Sequence, residues 1–206
     1  MFESKVLELQ KRRHGLEAFM ASLPQESGES AGVTVQILQG FASINLRGKV
    51  ENAEFVASVT SALGQQLPVI ANTMTIGNHR VFWLGPDEWL IMASANDTPE
   101  LLLQLRESLS TQHASVTDTS GGQVSLQLAG PAARDILAKG CTLDFHPDKF
   151  GVGSCAQSGL AKASVLIGLI DETPSFQIVV RRSFAEYLVL WLHAASREYG
   201  VQFTAS

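Results

Sequence analysis

The sequence predicts an α+β protein made of two ferredoxin-like βαββαβ units, at about residues 41–118 and 122–204. Three observations support this fold class. Stretches of alternating apolar and polar residues indicate half-buried strands, apolar residues at helical spacing indicate amphipathic helices between them, and the same order of elements occurs twice. Each unit is expected to form one antiparallel-rich sheet with its helices on one face.

The first 32 residues stand apart from this body, which spans residues 33–206. Residues 24–32 (PQESGESAG) are rich in Pro, Gly, Ser and Glu, which is typical of a flexible linker or surface loop. Ahead of this linker, one short amphipathic helix is predicted from Leu7, Leu9, Leu16, Phe19 and Met20. The charged start has no apolar stretch of a secretory signal, although its basic residues leave a mitochondrial transit peptide open.

Turn and cap signals define the first unit. Residues 33–38 and 41–46 alternate around Gln39-Gly40 and predict a hairpin, or one strand that feeds another. Gly64 ends a helix predicted from about residue 51, because glycine favours the left-handed conformation of a C-cap. The remaining elements are strands at 79–84 and 88–93 around Gly85-Pro86-Asp87, a helix that Thr98-Pro99-Glu100 opens, and a strand at 114–117.

The second unit repeats that order. Residues 123–128 alternate cleanly as a strand, and Gly130-Pro131 begins a helix that ends at Gly140. Ser183 and Glu186 have the spacing of a capping box, in which a hydroxyl and a carboxylate satisfy free amides at a helix start. The remaining elements are strands at about 158–169 and 175–181, and a last strand at 201–204.

The composition restricts the class of protein. A chain with 15 Lys and Arg residues against 20 Asp and Glu residues has a net charge of −5, which argues against a nucleic-acid backbone binder. No apolar run approaches the roughly 18 residues of a membrane span. With 45% hydrophobic and 17% charged residues, the chain is either a subunit with surface to bury or a tightly packed monomer. Its two cysteines fit a cytoplasmic location.

Cofactor and metal motifs are weak in this sequence. Residues 151–156 (GVGSCA) have the glycine pattern of a dinucleotide loop. No buried strand precedes them and a strand follows instead of a helix, so we interpret the segment as a plain loop. The sequence contains no GxxxxGK[ST] phosphate loop and no HExxH, and no two of its five histidines lie three or four positions apart, so no metal site is predicted.

Three polar features are candidates for chemistry. Asp87-Glu88 is a carboxylate pair suited to acid–base work if buried, although its turn favours exposure. Of the two cysteines, Cys155 is the better candidate for a reactive thiol. The alternative for both Cys155 and Cys141 is that each is a small buried apolar residue. Asp118 at a strand end and Arg134 near a helix start are expected to form a structural ion pair or to contact a ligand.

Several segments, in order along the chain, resemble the gamma subunits of heterotetrameric sarcosine oxidases. The resemblance runs from about residue 41 to 200, and residues 1–32 carry none of it. The segments are VFWLGPDEWL (81–90), LAGPAARDILAKGC (128–141) with Leu143-Asp144 and His146-Pro147 after it, SCAQ (154–157) and RSFAEYL (182–188).

The resemblance implies a fold, partners and cofactors. Such gamma chains assemble with alpha, beta and delta subunits, and the complex oxidises the N-methyl group of sarcosine. Its products are glycine, hydrogen peroxide and, with tetrahydrofolate, 5,10-methylenetetrahydrofolate; FAD, FMN, NAD and the folate site belong to the larger partners. The gamma chain is similar in fold to the folate-binding domain of the glycine-cleavage T-protein, and Thr117-Asp118 with residues 126–131 looks like the matching stretch of those relatives.

The sequence departs from T-protein relatives at one point. Those relatives carry a Gly-Gly…Asp pattern whose carboxylate works near a folate nitrogen, whereas residues 76–82 (IGNHRVF) have no such acid. No catalytic residue is therefore transferred, and Asp118 and Arg134 stay the candidates for a folate pocket.

These observations together predict a non-catalytic, accessory subunit that scaffolds the flavin-bearing partners, with the N-terminal segment reaching across them. One alternative is a stand-alone folate-binding or aminomethyltransferase-like protein. The other is a regulatory thiol protein that uses Cys155.

Overall fold

Two β-sheets with helices on their outer faces make up the residues that the computed structural model describes, 15–23 and 31–205. The strands are β1 (Val33–Ile37), β2 (Phe41–Arg47), β3 (Met74–Ile76), β4 (Arg80–Gly85), β5 (Glu88–Ser94), β6 (Ser115–Asp118), β7 (Gln123–Ala129), β8 (Cys155–Leu160), β9 (Ala163–Asp171), β10 (Ser175–Arg181) and β11 (Val201–Ala205). The helices are α1 (Gly15–Ser22), α2 (Ala53–Leu63), α3 (Thr98–Ser108), α4 (Ala133–Ala138) and α5 (Ala185–Ala195).

The five-stranded sheet has the order β3-β4-β5-β2-β6. Strand β2 lies inside it, antiparallel to both β5 and β6. Helices α2 and α3 cover one face, because Phe55, Val59 and Leu105 share an apolar cluster with that sheet. Gly64 ends α2 with a positive φ of 64°, as its position in the sequence predicts.

The six-stranded sheet has the order β11-β1-β7-β10-β9-β8. Strand β1 runs parallel to β11 and antiparallel to β7, so it separates two strands of the second half. Because β1 and β2 lie in different sheets, residues 33–46 form one strand that feeds another and not a hairpin. Helices α4 and α5 share the apolar cluster on the outer face of this sheet.

Two local predictions are wrong. The strand expected at about 158–169 is two strands, β8 and β9, with a turn at Ala161, whose φ is +53°. Glycine and asparagine are the usual residues at positive φ, so the turn carries no sequence signal. The capping box at Ser183 and Glu186 does not form, because residues 182–184 are a 3-10 turn and Phe184, which precedes α5, makes no side-chain cap hydrogen bond.

A small apolar cluster holds the two sheets face to face, and we call it the inter-sheet cluster. Successive side chains of a strand point to opposite faces, so Val179 faces the other sheet while Ile178 and Val180 join the outer core under the helices. The inter-sheet cluster consists of Met74, Phe82, Leu90, Met92, Cys155, Leu166 and Val179. The layers are therefore helices, sheet, sheet and helices.

The edges of the two sheets are also joined, at a place we call the seam. Thr73, ahead of β3, pairs with Ser154, ahead of β8, as an isolated antiparallel bridge. The Met74 amide donates to the Gly153 carbonyl and the Cys155 amide donates to the Asn72 carbonyl, each at 2.8 Å. Strands β3 and β8 thereby satisfy edge groups that would otherwise stay open.

Helix α1 packs on the same body. Leu16 and Met20 are buried in the outer core of the six-stranded sheet, together with residues of α5 and β11. The other apolar positions of the predicted helix, Leu7 and Leu9, and most of the predicted linker lie outside the described residues. None of the described helices is long and apolar enough to cross a membrane.

We expect Gly168→Ala to destabilise the protein by about 1–3 kcal/mol, because an added methyl group would overpack the inter-sheet contact. A Cβ at this position would lie 2.5 Å from the Met74 sulfur and 2.7 Å from the Phe82 ring. The measurement is the midpoint of urea unfolding. Gly159→Ala on the neighbouring strand β8 is the matched control, since its Cβ would meet nothing within 4 Å; equal midpoints for the two variants would contradict the close sheet contact.

Candidate functional site

Polar side chains from both sheets meet at the two ends of the space between the sheets, and this space is the candidate site. Strand β4 runs from Arg80 to Gly85 and β10 runs from Ser175 to Arg181, with the inter-sheet cluster midway. Arg80 contacts Gln177 at one end. At the other end a cleft of about 540 Å³ opens between Leu84 and Arg181.

Arg80 links the sheets at the closed end. Its Nη1 donates to Oε1 of Gln177 at 2.7 Å, and Gln177, which is fully buried, donates in turn from Nε2 to the Ser125 hydroxyl at 2.8 Å. The guanidinium also lies 5.5 Å from the centre of the Phe41 ring. Burial lowers the pKa of Arg80 from its ordinary value, and the charge of Asp171 opposes that shift. The buried Gln177 side chain therefore has a partner from each sheet, Arg80 for its oxygen and Ser125 for its nitrogen.

Residues 76–82, the segment that departs from the T-protein pattern, contain Arg80 and so supply one side of the contact between the sheets. Ile76 ends β3, residues 77–79 turn, and Arg80 begins β4. His79 accepts no hydrogen bond at its buried Nδ1 atom, and burial lowers its pKa while the charge of Asp97 raises it. The segment thus contains Arg80 and His79 and, as the sequence shows, no acid.

The open end of the space is a cleft that both sheets line. Its walls are Asn45, Leu84, Glu88, Leu90, Thr119, Gln123, Gln157, Ser158, Ser164, Val165, Leu166, Val179, Val180 and Arg181. Apolar residues of the inter-sheet cluster form the floor, and amides, hydroxyls and two charged groups surround it. Small-molecule sites in proteins commonly combine such an apolar floor with a few polar groups.

The predicted carboxylate pair does not form an acid–base site. Asp87 is exposed in the turn between β4 and β5. Glu88 is half-buried in the cleft wall, where Asn45 Nδ2 donates to it at 2.8 Å and Arg47 Nη2 forms an ion pair at 2.9 Å. Both carboxylate oxygens of Glu88 are hydrogen-bonded, and Arg47 balances its charge in the wall of the cleft.

Asp118 and Arg134 do not form the predicted ion pair. Asp118 accepts hydrogen bonds from the amide and the hydroxyl of Ser120 and so caps a turn after β6. Arg134 donates to the carbonyls of Phe145 and Phe150 and lies over the Phe176 ring. The two side chains form no ion pair with each other, and neither lines the cleft. The structure therefore does not bring Asp118 and Arg134 together in a pocket.

The glycine segment 151–156 is a turn into β8, as interpreted from the sequence. Gly153 has a φ of +83°, and Cys155 begins the strand. The Cys155 thiol is fully buried and donates to the Thr73 carbonyl at 3.1 Å. Burial raises the pKa of this thiol to about 11, against a smaller lowering effect of a backbone hydrogen bond with Trp83. Both cysteines are buried and free, and no group of metal-ligating residues occurs in the described part of the chain.

Sequence reasoning missed the residues that shape this space. Gln177 and Arg181 lie on one face of β10, and Gln123 and Ser125 lie on one face of β7. The signal is a set of polar residues on one face of otherwise apolar strands, interrupted on β10 by Val179, which marks a face that meets other polar groups. That signal does not say which face meets the second sheet.

We expect Arg80→Met to destabilise the protein by about 1–3 kcal/mol, because the buried Gln177 Oε1 would lose its donor. Arg106→Met is the control, since Arg106 is exposed and, within the described residues, donates to the Val116 carbonyl alone. Equilibrium urea unfolding measures both variants. Equal stability of the two would show that the inter-sheet link contributes nothing.

Alkylation tests the thiol hypothesis. At about pH 8 the Cys155 thiol is protonated and shielded, so iodoacetamide should leave it unmodified in the folded chain and should label it in urea. Mass spectrometry of peptides with Cys141 and Cys155 gives the labelled fraction. Rapid labelling of folded Cys155 would restore the thiol hypothesis.

Comparison with known proteins places this architecture among relatives. Residues 47–198 match the model of the sarcosine oxidase gamma subunit family. The chain is 34% identical over 201 residues to the sarcosine oxidase subunit gamma of Corynebacterium sp. (strain U-96), covering 97% of this chain and 95% of that relative. It is 36% identical to the protein of the same name from Corynebacterium sp. (strain P-1), covering 91% of each chain.

Solved structures agree with these relatives. A chain of the heterotetrameric sarcosine oxidase from Corynebacterium sp. U-96 in complex with pyrrole 2-carboxylate superposes with a TM-score of 0.82 at 34% identity, over 91% of this chain and 96% of that one. The glycine cleavage system aminomethyltransferase T from Bartonella henselae shares the fold, with a TM-score of 0.63 at 17% identity over 84% of this chain and 48% of that one. The resemblance seen in the motifs is confirmed, and this chain belongs to the sarcosine oxidase gamma subunit family.

Proposed function

We propose that this chain is a non-catalytic, accessory gamma subunit that scaffolds the flavin-bearing subunits of a heterotetrameric sarcosine oxidase. Its partners are alpha, beta and delta subunits, which carry FAD, FMN, NAD and tetrahydrofolate. The complex converts sarcosine, oxygen and tetrahydrofolate into glycine, 5,10-methylenetetrahydrofolate and hydrogen peroxide in the cytoplasm. Family membership and the likeness to a chain of a heterotetrameric enzyme support this proposal.

An exposed apolar surface beside the seam is the observation that carries the scaffold role. Val69, Ile70 and Val152 are 50%, 70% and 48% exposed, and we call them the seam patch. The Thr73 hydroxyl donates to the Ile70 carbonyl at 2.7 Å, and Val152 directly precedes the Gly153 carbonyl that accepts from β3. The backbone bonds of the seam therefore bring the two short loops together.

An exposed apolar surface of this kind favours association. Burying a large aliphatic side chain is worth about 1.5–3 kcal/mol. The reactive groups of the described chain support an accessory role as well. Cys155 is shielded with a raised pKa, and Glu88 is paired with Arg47.

We propose that the two sheets are duplicated ferredoxin-like units of the T-protein folate-binding type, within a single body at 33–206 that follows an N-terminal segment and linker. Supporting it, β4, β5, β2 and β6 lie in the spatial order of a split βαβ unit. In the other sheet β9, β10, β7 and β11 follow the same order, with β1 inserted between the last two.

The alternative, a stand-alone folate-binding or aminomethyltransferase-like protein, has the shared fold as its support. Its two candidate residues serve other purposes. Asp118 caps a turn, and Arg134 holds the carbonyls of a loop. The scaffold role is therefore the better-supported function.

We expect Ile70→Glu combined with Val152→Glu to weaken assembly with the alpha, beta and delta subunits at least tenfold, because two charges would be buried without partners. Co-expression with an affinity-tagged partner and size-exclusion chromatography measure the retained fraction, and sarcosine-dependent peroxide formation reports the assembled enzyme. Leu103→Glu is the control, since Leu103 is 57% exposed on α3, away from the seam. Full assembly of the double variant, or equal loss in the control, would contradict an interface at the seam patch.

A further inference from the structure

Three polar side chains stand side by side on the wall of the cleft that the six-stranded sheet supplies. Gln123 and Arg181 are direct cross-strand partners on β7 and β10, and Ser164 lines the cleft from the next strand, β9. Directly opposed residues of antiparallel strands have their Cβ atoms about 5 Å apart. Among the described residues, none of these three side chains has a hydrogen-bond or ion-pair partner.

The facing wall is different, because its polar groups are already occupied. Glu88 accepts from Asn45 and from Arg47. The Thr119 hydroxyl bonds with Ser43. On the six-stranded sheet itself, the Gln157 amide of β8 donates to the Leu84 carbonyl at 2.9 Å. The unoccupied hydrogen-bonding capacity of the cleft is thus concentrated in the Gln123–Arg181–Ser164 row.

The charge balance of the cleft points to an anion. Two charged side chains line it, Arg181 and Glu88. Arg47 neutralises Glu88 at 2.9 Å, which leaves the Arg181 guanidinium as the uncompensated charge. A guanidinium presents paired donors that fit a carboxylate, and the Ser164 hydroxyl adds a further donor beside it.

Gln123 requires a hydrogen-bond donor from the ligand, whereas Arg181 and Ser164 donate. Its Oε1 is a buried acceptor without a partner, and leaving such an atom unsatisfied costs about 1–3 kcal/mol. A ligand that brings an N–H or O–H donor next to its carboxylate would satisfy this acceptor while the carboxylate contacts Arg181. Leu166 and Val179, on the floor, would contact an apolar part of the same molecule.

We propose that the cleft between the sheets is a binding site for a small organic acid that carries a hydroxyl or amino group adjacent to its carboxylate. Arg181 and Ser164 bind the carboxylate, and Gln123 Oε1 accepts from the neighbouring donor. The cleft volume of about 540 Å³ is sufficient for such a molecule. The site is independent of the scaffold role, because it lies on the inner faces of the sheets and the seam patch lies on the joined edges.

Three probes of similar size separate the two requirements. L-Lactate has both groups, propionate has the carboxylate alone, and L-lactamide has the hydroxyl without the charge. Titration of the full chain labelled with ¹⁵N, followed by amide chemical shifts up to about 100 mM probe, measures the three affinities. We expect lactate to shift the amides of β7, β9 and β10 around the cleft, propionate to bind several-fold more weakly, and lactamide to cause no saturable shift.

Variants test the assigned residues. Arg181→Gln should weaken lactate binding at least tenfold, and Gln123→Met should reduce lactate affinity to that of propionate. Arg182→Gln is the matched control, because the neighbouring arginine belongs to the 3-10 turn and does not line the cleft; it should leave affinity unchanged. The unliganded spectrum of each variant verifies its fold, and the three wild-type titrations stand whether or not a variant folds.

Several results would overturn the proposal. They are the absence of saturable lactate shifts in the wild-type chain, equal affinity for lactate and lactamide, and equal weakening by Arg181→Gln and Arg182→Gln. Equal affinity for lactate and propionate would remove Gln123 from the site and contradict the required donor.

Discussion

The contact between the two sheets is the constraint on which the other features of this chain depend. Each sheet buries one face under helices in an extensive apolar core, whereas the apolar contact between the inner faces is the small inter-sheet cluster. Polar residues occupy the rest of those faces, and they cannot be buried against each other without partners at an acceptable cost in free energy. One end closes because Arg80 bonds Gln177, and the other end stays open as the cleft.

The seam connects this internal arrangement with the outer surface. The backbone pairing at Thr73 and Ser154 places Cys155 in the inter-sheet cluster and holds Ile70 and Val152 in the solvent at the same time. Phe82 packs in the inter-sheet cluster against Met74, the first residue of β3, so the internal packing borders the strand that follows the seam. If the seam patch is an interface, as proposed, its shape depends on this internal packing.

Sequence reasoning was strongest where a residue type has one local use. Gly64 as a C-cap and Gly85-Pro86-Asp87 as a turn were predicted from conformational preference alone, and both are present. It failed where a local pattern had a competitor. The capping box at Ser183 gave way to a 3-10 turn, and Ala161 adopts a left-handed turn without a glycine. Opposite charge alone predicts the pairing of Asp118 with Arg134, whereas Asp118 accepts from the Ser120 amide and Arg134 donates to the Phe150 carbonyl.

The sequence by itself determined the class of fold, the order of most helices and strands, and the family. Hydrophobic periodicity and turn residues act over a few positions, and the family motifs are contiguous. The tertiary structure alone decided that β1 and β2 belong to different sheets, that β1 inserts beside β11, and that Gln123 and Arg181 face each other in an open cleft. These features depend on contacts between residues that are distant in the chain. The alternation of apolar and polar residues specifies that a strand has two different faces, but it does not specify which partner each face meets.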